Sequence, residues 1–263
     1  MAPTDKTTTH KIAAKGATLH ATSTGSGPPL LFIHALGLDH TVWQGVIRHF
    51  PDHCVITYDL RGHGASDAPT GPYAMGQLVA DAEAVCVHFA LKEACVIGHS
   101  VGGMIAQGLA VKRLDLVRAL GLVATAAKFG QPGPWRERAS TARTRGMAAL
   151  APDILTRWTP LGPHDAPLDA QLRATPPEGY ASTCEAIAGT DFYTPTSGLR
   201  LSTLGLCGTL DAATPPDLVR ETTDLIPGST FHLIRGAGHM APLTHPDMVA
   251  DLIAVFLKGV GHV

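Results

Sequence analysis

The run Ala94-Cys95-Val96-Ile97, followed by Gly98-His99-Ser100-Val101-Gly102-Gly103, constrains the fold of this chain more than any other. It reads as an apolar strand, a Gly-x-Ser-x-Gly turn and a helix entry, because Met104 to Lys112 is a good helix former. Glycine at 98 and 102 keeps side chains out of a turn that brings strand and helix close together. Such a turn lifts a serine hydroxyl above the end of a sheet. It also aims the Val101 N–H at an oxyanion that develops there. A bare match arises by chance in a chain with 28 glycines, so Ser100 is a candidate nucleophile only if a base, an acid and a second oxyanion donor are found.

The base candidate is His239. An apolar strand, Thr230 to Ile234, runs into Arg235-Gly236-Ala237-Gly238 just before it, and a loop at a strand's carboxyl end can carry an imidazole over the sheet. With 14 histidines in the chain, that loop context and its late position set His239 apart. His99 is nearer in sequence, but a neighbour of the serine on a tight turn points elsewhere. The acid candidate is Asp211, beyond the strand Leu204-Gly205-Leu206-Cys207 and a Gly-containing loop. Asp217 follows Pro215-Pro216, where a negative charge suits the first turn of a helix. The strand Pro29 to Ile33 leads into His34-Ala35-Leu36-Gly37, so the Leu36 N–H is the second oxyanion candidate, with His34 ordering the loop.

Strand-like runs alternate with helix-like segments up to Val123, which predicts a mostly parallel sheet with helices on both faces. The rhythm then breaks. From Thr125 to about Pro195 no strand recurs and prolines are frequent. This predicts a helical cap at 125–196, inserted after the sixth strand into a core formed by 1–124 and 197–263. The pocket over Ser100 is expected to draw on His34, Ala35, His99 and Met240 of the core. From the cap it is expected to draw on Trp135, Trp158 and Tyr193, with Arg136, Arg143 and Arg157 as candidate partners for a substrate carboxylate.

A net charge of −2 and the lack of a basic run argue against nucleic acid and anionic membranes. The Thr-rich start, Met1 to His20, has no signal-peptide core, and no segment is long and apolar enough to span a bilayer. The five cysteines show no metal or redox spacing, so reduced thiols and a cytoplasmic protein are expected, with no metal or cofactor. A homo-oligomer is compatible with the sequence.

The order Ser100, Asp211, His239 is that of α/β-hydrolases. More narrowly, the chain resembles the 3-oxoadipate enol-lactonases over almost its full length. The resemblance rests on Tyr58-Asp59-Leu60-Arg61-Gly62-His63-Gly64 with Ser66-Asp67, on Gly71-Pro72-Tyr73, and on Ala124-Thr125-Ala126-Ala127 with Trp135. In the cap it rests on Ala142-Arg143-Thr144, Gly146-Met147, Arg157-Trp158 and Gly179-Tyr180-Ala181-Ser182 with Cys184-Glu185-Ala186-Ile187. It implies an α/β-hydrolase fold, a small ester or lactone substrate such as an enol-lactone, and a serine mechanism without cofactor. The chain departs from the family at His99, at His34-Ala35, at Met240-Ala241-Pro242 and at Asp191-Phe192-Tyr193, where the family has Asp-Leu-Arg. The last departure removes an arginine, the residue type that holds a carboxylate bidentately. A carboxylesterase for neutral substrates is the alternative, and a ligand receptor on a hydrolase scaffold a more distant one.

Overall fold

A computed structural model describes residues 7–159 and 166–263. The expectations for residues 1–6, and for residues 160–165 of the cap, lie outside them.

Eight strands form one sheet: β1 (Thr8–Ala14), β2 (Ala17–Thr24), β3 (Pro29–Ile33), β4 (Cys54–Tyr58), β5 (Ala94–His99), β6 (Val117–Val123), β7 (Ser202–Gly208) and β8 (Thr230–Ile234). Their order is β1-β2-β4-β3-β5-β6-β7-β8. β1 and β2 form an antiparallel hairpin, β2 joins β4 antiparallel, and every other pair is parallel. All of β5 is buried. Alternate side chains of a strand point to opposite faces, so the centre of the sheet is covered on both sides. Strand β1 is absent from the sequence reading. Only Ile12 of it is buried, as befits an edge strand whose polar threonines face water, so it carries almost no apolar signal.

A short 3-10 turn, His40–Trp43, capped by the Asp39 carboxylate, precedes α1 (Gln44–Ile47). Then come α2 (Met75–His88) and α3 (Val101–Lys112). Between β6 and β7 lie five helices and no strand among the described residues: α4 (Pro132–Arg145), α5 (Met147–Trp158), α6 (Ala166–Ala174), α7 (Pro177–Ala188) and α8 (Tyr193–Ser197). Beyond β7 are α9 (Pro216–Asp224), α10 (Ala241–Thr244) and α11 (Pro246–Gly259). The inter-β6–β7 helices are tied to one another and to the core by polar contacts. Arg143 binds Glu178 at 2.8 Å and Glu185 at 2.6 Å, while Glu178 also accepts the Gly71 N–H at 3.0 Å.

Under the loop after β4, Arg61 and Asp81 form a fully buried ion pair, Nε to Oδ2 at 2.5 Å and Nη2 to Oδ1 at 2.6 Å. Burial outweighs the arginine at this carboxyl and holds it above its usual range. The pair therefore adds little net stability but fixes where the loop runs, and breaking it leaves a buried charge without a partner. Arg61→Met should lower stability by about 3–5 kcal/mol. Arg61→Met with Asp81→Leu should recover most of that, as read from urea midpoints. An additive double variant would mean that the charges do not interact.

Candidate active site

The first constraint on the site is steric. Strands β3 and β5 are parallel neighbours, with Ile33 opposite Gly98. A Cβ at Gly98 would lie 2.2 Å from the Gly102 carbonyl oxygen, and one at Gly102 would lie 2.4 Å from that of Ile33. Only glycine lets the start of α3 press this closely on both strands. Ser100 pays for the turn with φ 55 and ψ −119, a left-handed backbone unusual for a residue with a Cβ. Hydrogen bonds hold it there. Its N–H donates to the Val123 carbonyl at 2.9 Å, and its carbonyl accepts the Gly103 N–H at 2.9 Å and the Thr125 hydroxyl at 2.6 Å.

The loops after β7 and β8 carry the candidate acid and the candidate base. His239 Nδ1 and Asp211 Oδ2 lie 2.9 Å apart. Asp211 Oδ1 accepts the N–H groups of Ala213 and Thr214, each at 2.8 Å, and Oδ2 accepts the Thr214 hydroxyl at 2.7 Å. Burial alone would raise the Asp211 carboxyl. The facing imidazole and the Thr214 donors outweigh it and hold the group below the usual carboxylate range. The alternative acid, Asp217, is exposed in the first turn of α9. The His239 N–H donates to the Trp158 carbonyl at 3.0 Å, and the Trp158 indole stacks on the imidazole with centroids 6.1 Å apart. The last turn of α5 thus positions the base.

A cavity of ≈ 240 Å³ joins Ser100, His239, Leu36 and Thr214 with Trp135, Arg138, Arg157, Trp158 and Tyr180. Leu36 lies in its wall, and Val101 is the first residue of α3, directly after the serine. A larger groove of ≈ 670 Å³, between Asp39, Thr41 and Gln171, holds neither Ser100 nor His239.

Of the expected pocket residues, Trp135, Arg157 and Trp158 line this cavity. The others do not. His34 is fully buried behind the Leu36 loop, where Nδ1 donates to the Ala35 carbonyl at 2.7 Å and Nε2 accepts the Leu60 N–H at 2.9 Å. Those bonds fix a neutral tautomer, in accord with the lowering of its pKa by burial. Ala35 and Met240 are buried core. His99 lies beneath the base, donating from Nε2 to the His239 carbonyl at 2.9 Å, and burial pushes its pKa down to about 3. Arg136 is exposed on the outer side of α4, and Arg143 is saturated by Glu178 and Glu185. The Tyr193 hydroxyl lies 3.2 Å from Glu221, away from the serine.

Arg138, absent from the sequence reading, lines the cavity in their place. Its guanidinium sits 4.6 Å from the centre of the Trp135 ring and beside Tyr180. Burial lowers the Arg157 pKa, and the like charge of Arg138 adds to the effect. Among the described residues, neither arginine is in an ion pair. Two partly desolvated cations therefore face one small cavity without an anion. Helical spacing holds the signal that was overlooked: Trp135, Arg138, Ala139 and Ala142 share one face of α4, and Ala139 and Ala142 are buried.

Residues 30–252 match the model of the alpha/beta hydrolase family. The 3-oxoadipate enol-lactonase 2 of Acinetobacter baylyi is 33% identical over 238 residues, which is 88% of this chain and 89% of that one. The crystal structure of the enol-lactonase from Burkholderia xenovorans superposes with a TM-score of 0.90 at 32% identity, covering 95% of this chain and all (100%) of the other. A thermophilic esterase from Thermogutta terrifontis, solved with malate bound, has a TM-score of 0.89 at 28% identity, over 97% of this chain and 100% of its own. With a family match across most of its length and the same sheet, this chain belongs to the alpha/beta hydrolase family.

Proposed function

We propose that this protein is a serine hydrolase that opens a small, anionic ester or lactone, and that an enol-lactone such as that of 3-oxoadipate is its substrate. The observation that carries the reading is the pair Arg138 and Arg157 in the same cavity as Ser100 and His239. A carboxylate on the substrate would neutralise both guanidiniums while the carbonyl lies on the serine. At ≈ 240 Å³ the cavity is small beside the ~300–1,000 Å³ of drug-sized sites, which suits a compact acyl group. The enol-lactonase relatives and the malate-bound esterase support the same choice by analogy.

In this mechanism Ser100 Oγ attacks the carbonyl carbon. Asp211 holds His239 by Nδ1, which leaves Nε2 to take the serine proton and return it to the leaving oxygen. The N–H groups of Leu36 and Val101 bind the oxyanion, and water then cleaves the acyl-enzyme to the free acid. An enol is a good leaving group, so ring opening needs little acid assistance. Helices α4–α8 act as the cap that shields this chemistry from water.

Ser100→Ala should lower kcat by about 10⁴-fold or more with the fold intact by circular dichroism; a folded, active variant rules the mechanism out. Each of Arg138→Ala and Arg157→Ala removes a charge-assisted contact of about 1.5–3 kcal/mol. Each should therefore lower kcat/KM for the enol-lactone at least about tenfold and leave p-nitrophenyl acetate nearly unchanged. Arg143→Ala, which only loosens Glu178 and Glu185, should leave this preference unaltered. Equal losses on both substrates would point to a neutral substrate instead.

Asp211 also predicts a pH dependence. Its folded carboxyl titrates below its unfolded value, so its contribution to stability is full above about pH 4 and is lost as pH falls through the lowered value. Asp211→Asn should flatten that acid limb in urea titrations; an unchanged limb would show that Asp211 contributes nothing to it.

A further inference from the structure

A second cluster of chemistry-bearing side chains lies outside the cavity, where strand β2, the 3-10 turn and the loop after β4 meet. At its centre is Asp59, whose carboxylate is 1% exposed. His40 Nδ1 lies 2.7 Å from Oδ1, and His20 Nδ1 lies 3.1 Å from Oδ2. The two rings are 5.0 Å apart at 46°, and a donor atom from each of the three side chains lies within 4.8 Å of the others. Backbone N–H groups secure the carboxylate from behind, His40 to Oδ1 at 2.8 Å and Ala65 to Oδ2 at 2.9 Å.

The arrangement has an unmet need. His20 Nδ1 is buried and makes no hydrogen bond, even though the carboxylate is so close. If it carries a proton, that proton meets Oδ2 at 3.1 Å off the hydrogen-bond direction. If it carries a lone pair, the lone pair faces an anion. Neither state gives Nδ1 a well-directed hydrogen bond. A divalent cation among the three groups supplies a partner, because it binds both Nδ1 lone pairs and the carboxylate between them and displaces the proton from His40. His40 Nδ1 faces Oδ1 at 2.7 Å and His20 Nδ1 faces Oδ2 at 3.1 Å, so an ion between the two rings would meet the carboxylate after the small outward shifts that zinc–ligand bonds of ~2.0–2.1 Å require. The imidazole side chains are 20% and 18% exposed, so the ion can enter from solvent and keep water in its remaining position.

We propose that His20, His40 and Asp59 form a binding site for one divalent cation of the zinc type, a class favoured by mixed imidazole and carboxylate donors. The Ala65 and His40 N–H groups orient the carboxylate ligand, as outer-shell donors do at metal sites. The site is structural rather than catalytic. Asp59 is followed by Leu60, whose N–H is held by His34 behind the Leu36 loop, so the ion would staple that loop to β2 and β4. The sequence hides the site, because positions 20, 40 and 59 show no ligand spacing and meet only through the sheet.

The test uses full-length protein stripped with chelator, titrated with Zn²⁺ by calorimetry and with Co²⁺ by visible d–d absorption. One equivalent should bind, and the melting temperature should rise with free Zn²⁺, as linkage requires. His20→Ala should weaken this binding at least about tenfold, and it sacrifices no hydrogen bond at Nδ1, so it should fold. His49→Ala, in the exposed pair with Asp247, and His239→Ala, at the base, should both retain the equivalent. The proposal fails if the stripped protein takes up no ion, if His20→Ala binds as the parent does, or if only His49→Ala or His239→Ala abolishes binding.

Discussion

Everything at the candidate site depends on how closely the start of α3 approaches the ends of β3 and β5. Glycines at 98 and 102 allow a backbone-to-backbone contact that a single methyl group would prevent. The contact puts Ser100 beside the Leu36 loop because Ile33 and Gly98 are paired in the sheet. The left-handed backbone at Ser100 persists because Val123, Gly103 and Thr125 all bond to it. Local strain is thus held by the most buried part of the fold, where it is least able to relax. The candidate acid, Asp211, and the candidate base, His239, need no such strain. They reach the serine from loops at the carboxyl ends of β7 and β8.

Buried neutral histidines do much of the positioning around this centre. His34 and His99 are both driven towards the neutral form by burial, and each donates to a backbone carbonyl at the candidate site, Ala35 in one case and His239 in the other. A charged residue in either place would need a counter-ion and would disturb the field at His239. A neutral imidazole supplies a directed N–H without that cost. The cluster at Asp59 differs, because there two imidazoles compete for one carboxylate.

The sequence made Ser100, Asp211 and His239 legible because the signal at each is local: a short apolar strand, then a small loop, then the polar residue. The fold class was legible for the same reason, since buried strands such as β5 are unbroken apolar runs. Strand β1 was not, because a hairpin at the sheet edge buries only Ile12. The pocket wall was the hardest part. Arginines 136, 138, 143 and 157 look alike in composition, and what separates them is which side of a helix meets the cavity and which ones find an acid. The pairing of Arg143 with Glu178 and Glu185 spans 35 and 42 residues, a distance over which no local pattern operates. His34, His99 and Met240, expected in the pocket, lie buried behind the loops and do not line the cavity.

The fate of each cation also bears on specificity. Where an arginine has a structural task, the chain provides its acid: Asp81 for Arg61, Glu178 and Glu185 for Arg143. Arg138 and Arg157 have no such partner among the described residues, and they repel one another at a site partly removed from water. The free enzyme carries that repulsion as a local cost, tolerable because Trp135 and Tyr180 pack against Arg138 and because some solvent still reaches the cavity. On the proposed reading, an anionic substrate would relieve the cost and a neutral ester would not. The same charges next to Ser100 also bear on turnover. The acid product of the proposed anionic substrate would keep its carboxylate and gain a second one, close to the Asp211–His239 pair. Repulsion between that new anion and Asp211 opposes retention, while the two guanidiniums favour it. With such a substrate, binding strength and product release would pull on the same two arginines in opposite directions, which favours two moderately solvated guanidiniums over one deeply buried ion pair.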